Sequence, residues 1–329
     1  MDHVFRDFYL DKQNFSMMTK ALFFKLKLTF LLLLTFLAFS STGYTSESVE
    51  VQIGAAKDNT LYESATGSLS NGSGEHFFVG QTAAGGGFKI RRGLIAFNIA
   101  EKIPAGSSIQ SVVLTISMNK TISGNQTVSL HKLVADWGEG TSEAAFGEGM
   151  GAPATTNDAT WLHRFYDSIL WTTAGGDYIP SASASTTVGG IASYTFGSSP
   201  QLVVDAQDWL DNPGNNFGWV LTGSEDTTLT AKRFASKDNV NETSRPILSV
   251  TYIPPPCCIG LRGDFDGDGN NATTLDLDYL VDDMFRGGPA SPCPEEADIN
   301  NDGRISTILD LTFLIDVIYR GGAAPDSCP

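Results

Sequence analysis

Asp264, Asp266 and Asp268, with Gly269 directly after them, put carboxylates at positions 1, 3 and 5 of a tight loop and a flexible residue at position 6. That spacing turns oxygen donors inward around a hard divalent cation, and the glycine permits the bend that closes the loop. Thirty-four residues later the pattern returns as Asp298, Asn300, Asp302 and Gly303. Position 7 contributes only its backbone carbonyl, so Asn270 and Arg304 are both acceptable there. The next carboxylate, Asp276 or Asp310, stands at position 13, because Leu275 and Leu309 occupy position 12. Asp276 and Asp310 are expected to reach the ion after one looped-out residue, which makes two Ca²⁺ sites. Without a cation, carboxylates this close repel one another.

Each loop needs an element to hold it. Leu277, Leu280, Val281 and Met284, and their counterparts Leu311, Leu314, Ile315 and Ile318, follow the i, i+3, i+4, i+7 stripe of an amphipathic helix. Both helices are predicted to stop at a Gly-Gly pair, Gly287-Gly288 and Gly321-Gly322. A tetratricopeptide array shares the period of 34, but neither copy carries its Trp/Leu/Gly/Tyr pattern, and two copies are too few to stack.

A cation loop with no helix before it, a helix after it and the whole unit duplicated resembles the type I dockerin, over residues 259–329. The resemblance implies a small α domain whose fold depends on Ca²⁺ and whose partner is a cohesin-like protein. It also implies partner contacts at the helix starts, matched here by Thr273, Thr274, Ser306 and Thr307.

The chain has 329 residues, room for roughly two domains. Of its formal charge of −16, residues 257–329 carry −10, and no basic patch is available to neutralise phosphates, so nucleic acid is not an expected partner. Residues 1–43 read as a leader. Lys20, Lys25 and Lys27 precede an apolar run from Leu28 to Phe39 and small residues after it, as in a secretion signal. That run is short for a membrane span, so contact with a membrane is expected only through an uncleaved signal. Export to the outside or to the cell surface suits the cysteines. Cys257, Cys258, Cys293 and Cys328 all border the repeats. A bridge between the adjacent Cys257 and Cys258 is sterically poor, which leaves two pairings open, and either would staple a module with a thin core.

Residues 44–253 read as all-β. Leu94–Ile99, Ser111–Ser117, Val128–Val134, Trp219–Thr222 and Ile247–Tyr252 are short alternating or β-branched runs with Gly, Ser, Asn and Asp between them. One short helix is expected at Val203–Leu210, with Val203, Val204, Ala206 and Leu210 inward. Residues 254–258 form a stiff Pro/Cys linker. Asp58-Asn59-Thr60-Leu61-Tyr62-Glu63, Arg92–Phe97, Ala135–Thr141, Ala159–Trp161, Trp171–Asp177 and Arg245–Tyr252 occur in an order and spacing that resemble the DNRLRE family of secreted β-sandwich domains. This resemblance implies a jelly-roll-like sandwich similar to a carbohydrate-binding module, with a polysaccharide as ligand. The expected fold class is therefore mainly β, a sandwich followed by a small α domain with duplicated calcium loops.

Indole faces match the apolar faces of sugar rings, and Trp137, Trp161 and Trp171 lie in Gly/Thr/Asp-rich connections where such contacts could form. Trp209 and Trp219 read as core. Asp58 and Glu63 are expected to pair with Arg91, Arg92 or Arg245, with a structural Ca²⁺ as the alternative. For catalysis there is no nucleophile elbow and no zinc-binding histidine pair. Asp136, Glu139, Glu143, Glu148 and Asp158 are the acids that a glycosidase would draw on. A non-catalytic, exported, glycan-binding or surface protein is the leading expectation. A polysaccharide hydrolase or lyase and a structural envelope component are the alternatives.

Overall fold

The computed structural model describes residues 48–328, so the expected signal segment lies outside the described residues. Chain contacts separate a unit of residues Ser46–Pro256 from one containing Cys257–Pro329. Among the described residues, no helix is long and apolar enough to cross a membrane.

The first unit is built on one antiparallel sheet of eleven strands. In chain order they are β1 (Val49–Gly54), β2 (Lys57–Tyr62), β3 (His76–Gln81), β4 (Ile90–Ala96), β5 (Ser108–Thr121) and β6 (Gln126–Lys132), then β7 (Ala184–Val188), β8 (Ala192–Phe196), β9 (Trp219–Thr222), β10 (Lys232–Ala235) and β11 (Ile247–Ile253). The path runs β1-β11-β5-β10-β3-β4-β9-β6-β7, with β8 on β5 and β2 on β4. The strand β3 is the corner. Its first part pairs with β10, and its last residues, Gly80 and Gln81, pair with β4. The sheet therefore curls, and residues from both wings, such as Val112, Leu114 and Leu248 with Ile95, Leu130 and Trp219, share one core.

Side-chain alternation is the cause of this pattern. Val112, Leu114, Ile116 and Met118 of β5 point inward, two residues apart. Ile109 breaks that parity, and the register slips there: Thr251 faces Ser111, while Tyr252 faces Ile109. The extra residue, Gln110, is a bulge that returns Ile109 to the core. The expected helix is α1 (Pro200–Asp211), capped by the Ser199 side chain with proline at its start. Val204, expected inward, is 55% exposed. Leu202, Ala206, Trp209 and Leu210 are the apolar residues that α1 buries.

Asp205 of α1 is fully buried. It accepts from Ser183 Oγ at 2.5 Å, Trp219 Nε1 at 2.9 Å and Gln201 Nε2 at 3.0 Å. Asp205→Ala would leave the Ser183 hydroxyl and the Trp219 N–H buried without a partner, each costing about 1–3 kcal/mol. Urea unfolding of the variant is expected to show a loss of about 3 kcal/mol, and an unchanged midpoint would refute this account.

A second core lies on the outer face of the β2–β4–β9 wing. Leu61, Leu94 and Val220 from the sheet meet Leu133, Trp137, Ala159 and Trp171 from the long connection between β6 and β7. That connection has only two-to-three-residue strand pairings of its own, so its aromatic side chains anchor it to the sheet.

In the second unit, α2 (Thr274–Val281) continues through a single π turn, Asp282–Arg286, and α3 is Ile308–Arg320. Gly287 and Gly321 end the helices in left-handed geometry, with φ of 71° and 67°. Phe265, Leu280, Ala297, Ile299 and Leu314 form the buried centre. Disulfides join Cys257 to Cys293 and Cys258 to Cys328, with Cα atoms 5.5 and 5.4 Å apart.

Candidate functional site

The two acidic loops fold alike. Asp264 Oδ1 accepts from Asp268 N at 3.0 Å and its Oδ2 from Gly269 N at 2.9 Å, while Asp298 accepts from Asp302 N at 2.9 Å and Gly303 N at 3.0 Å. Position 3 bonds position 5 in both copies, Asp268 N to Asp266 and Asp302 N to Asn300, at 3.0 Å each. A main-chain bond closes each mouth, from Ala272 N to Gly263 O at 2.9 Å and from Ser306 N to Ala297 O at 3.0 Å. Ala272 and Ser306 are left-handed, at φ 52° and 50°, and Gly269 and Gly303 supply the bend at φ 87° and 84°.

Asp264, Asp266 and Asp268 bring carboxylate oxygens within 4.8 Å of one another. Partial burial, and the nearby charges of Asp276, Asp268 and Asp264, raise the Asp266 carboxyl above its ordinary range. Asp276 and Asp310 are fully buried at the third residue of their helices and serve first as caps. Thr273 Oγ1 donates to Asp276 Oδ2 and Thr307 Oγ1 to Asp310 Oδ2, both at 2.7 Å. Asp276 Oδ1 also takes Phe265 N at 2.8 Å, which ties helix to loop. Asp310 Oδ1, by contrast, is buried with no hydrogen-bond partner among the described residues. Burial pushes the Asp310 carboxyl up, Thr307 and the nearby Asn300 N–H work against this, and the charge of Asp298 adds to it. Buried polar atoms are rarely left unpaired. A hard cation is the kind of partner that this orphan oxygen and the all-oxygen donors around it suit in chemistry.

The helix-start residues divide by role. Thr273 and Thr307 spend their hydroxyls on the caps, Ser306 is half-buried, and Thr274 alone is exposed. Two apolar pairs are among the exposed side chains that repeat: Leu275 with Leu309 (60% and 55%) and Phe285 with Tyr319 (63% each). All four cysteines are in disulfides, which rules out a four-cysteine zinc site.

In the first unit, Trp137 and Trp171 are 1% and 5% exposed, a correction to their expected sugar-contacting role. Their indole N–H groups donate inward, to Phe217 O and Thr160 O, at 2.9 Å each. Trp161 remains half-buried, and the Arg92 guanidinium lies 5.0 Å from its ring centre and 5.4 Å from that of Tyr178. A fork to Glu225, with both bonds at 2.8 Å, fixes Arg92. Beside it opens a groove of about 630 Å³ lined by Arg92, Tyr178, Asp177, Thr172, Thr173 and Val134. Tyr178 and Arg92 could not be ranked from local sequence, because the residues that bring them together are far apart in the chain.

Most of the acids that a glycosidase would use hold structure. Asp136 pairs with Lys57 at 2.8 Å, Glu139 with Lys237 at 3.3 Å, Glu148 with His76 at 3.0 Å, and Asp158 accepts from Thr155 N at 2.5 Å. Asp58 and Glu63 bond none of the expected arginines. Asp58 is buried and accepts from Lys237 N at 2.6 Å, and Glu63 accepts from Ile90 N at 2.7 Å. Comparison with protein-family models and with curated proteins returns no match.

Proposed function

We propose that this chain is an exported, non-catalytic protein that binds a glycan through a jelly-roll-like β unit and docks to a cohesin-like partner through a dockerin-like unit holding two Ca²⁺ ions. The observation that carries the docking half is the loop built twice in the same way, with one buried oxygen, Asp310 Oδ1, left for a cation. Asp264, Asp266 and Asp268, and Asp298, Asn300 and Asp302, would supply side-chain oxygens. Asn270 and Arg304 would supply carbonyls, and Asp276 and Asp310 would close the set from the helices. The ion adds positive charge that lets the carboxylates converge. The repeated apolar positions Leu275, Leu309, Phe285 and Tyr319 are the contacts we assign to the partner, with Thr274 beside them.

For the glycan half, the Arg92 groove offers an aromatic face and fixed polar groups, the combination that sugar recognition uses. Tyr178→Ala and Trp161→Ala are each expected to weaken binding to whichever polysaccharide scores in a glycan array by at least about tenfold, or about 1.4 kcal/mol. Wild-type affinity in both variants would remove the groove from the reading. Release of cleaved product from that polysaccharide would replace the binding role with an enzymatic one.

A further inference from the structure

We propose that Arg262 and Glu296 are positioning residues that brace the two acidic loops crosswise and make them unequal, the first loop being the tighter divalent-cation site and the second the weaker. The inference rests on the calcium reading above and goes beyond it, because the two loop motifs taken alone are near copies.

Arg262 and Glu296 occupy the same place in the 34-residue repeat, two residues before each loop begins, yet their charges are opposite. Both are 4% exposed, and each reaches into the other copy. Arg262 Nη1 donates to Glu295 O at 2.8 Å and to Asp298 O at 3.1 Å, and it lies 3.6 Å from Asp298 Oδ2. Glu296 Oε2 accepts from Asp264 N at 3.2 Å, and its Oε1 accepts from Ile259 N at 3.2 Å. The first residue of each loop is thus held by a side chain from the opposite repeat.

The exchange is symmetric in geometry and antisymmetric in charge. The first loop gathers Asp264, Asp266, Asp268 and Asp276, and Glu296 adds a fifth carboxylate beside its first ligand residue. The second loop has Asp298, Asp302 and Asp310, with a neutral Asn300, and Arg262 sets a buried positive charge against its first ligand. A dication is drawn by the summed charge around its site, and buried charges are poorly screened, so the difference acts on affinity. The motif residues and the brace point the same way.

The test is a calorimetric CaCl₂ titration of the metal-stripped full chain at two salt concentrations. Two binding steps are expected, with dissociation constants at least about tenfold apart and the tighter one weakening more steeply with salt. Asp268→Asn should abolish the tighter step and Asp302→Asn the weaker one. Glu296→Gln should weaken the tighter step at least about threefold, whereas Arg262→Met should tighten the weaker one, a gain that mere loss of packing would not produce. If Arg262→Met does not fold, Glu296→Gln and the salt dependence decide. Two equal steps, a tighter step that follows Asp302, or Glu296→Gln acting on the weaker step would each overturn the inference with the calcium reading intact. A titration with no binding heat, and no shift in melting with CaCl₂, would overturn both.

Discussion

Excess chelator is expected to lower the melting transition of residues 257–328 and to leave the transition of the β unit where it was. A ligand that binds only the folded state stabilises it by about 2.7 kcal/mol per site when its concentration is about 100-fold above Kd. Two such losses, about 5 kcal/mol, match or exceed the roughly 3–5 kcal/mol that a core of this scale supplies. That core is small, with Phe265, Leu280, Ala297, Ile299 and Leu314 as its buried centre. The disulfides will keep the unfolded ensemble compact, so the change should appear as a shifted transition, not as chain release. Asp302→Ala should reproduce about half of the effect. Asp278→Ala should not, since Asp278 is exposed on α2 and its carboxylate lies 3.6 Å from Arg286, outside both loops. Identical melting curves in chelator and in millimolar Ca²⁺, with disulfides intact, would remove the cation from the fold.

The β unit is expected to lose stability as pH rises from about 4 to about 8, the reverse of a paired surface acid. Burial is the main cause: it raises the Asp58 carboxyl to about 8, helped by the charges of Glu139 and Asp238 and opposed by the Lys237 N–H. Below about 4 the group is protonated in both folded and unfolded chains, and folding is not penalised. Between the two values the unfolded chain has released a proton that the folded chain keeps, so stability falls by up to about 1.4 kcal/mol per pH unit. Above about 8 both states are ionised and the curve flattens. Asp58→Asn preserves the acceptor for Lys237 N and removes the proton. Chemical denaturation across pH should therefore lose this slope in the variant. A variant with the wild-type slope would show that another group carries it.

What could be read in advance depended on the range of the interactions. The strand Trp219–Thr222 was legible to the residue, because alternation is local. The two acidic loops were legible because a period of 34 repeats within one stretch of chain. Trp137 and Trp171 misled because Gly- and Thr-rich surroundings identify a connection but not the sheet face it folds over. Asp58 had no local sign of its partner, Lys237, which is 179 residues away. Arg262 and Glu296 were visible as equivalent positions. Their exchange between repeats was not, since nothing in a repeat reveals which copy a side chain will touch.

The two disulfides also decide how the second unit would bear tension. A pull on the chain through Pro254-Pro255-Pro256 enters at Cys257 and Cys258. From there covalent bonds carry it directly to Cys293, at the boundary between the repeats, and to Cys328, at the far end. The first acidic loop and α2 hang between those anchor points as a slack bight, so force reaches neither of them by unravelling from the front. Reduction would reroute the same pull through Asp264 and its neighbours, turning a clamped module into one that peels loop by loop.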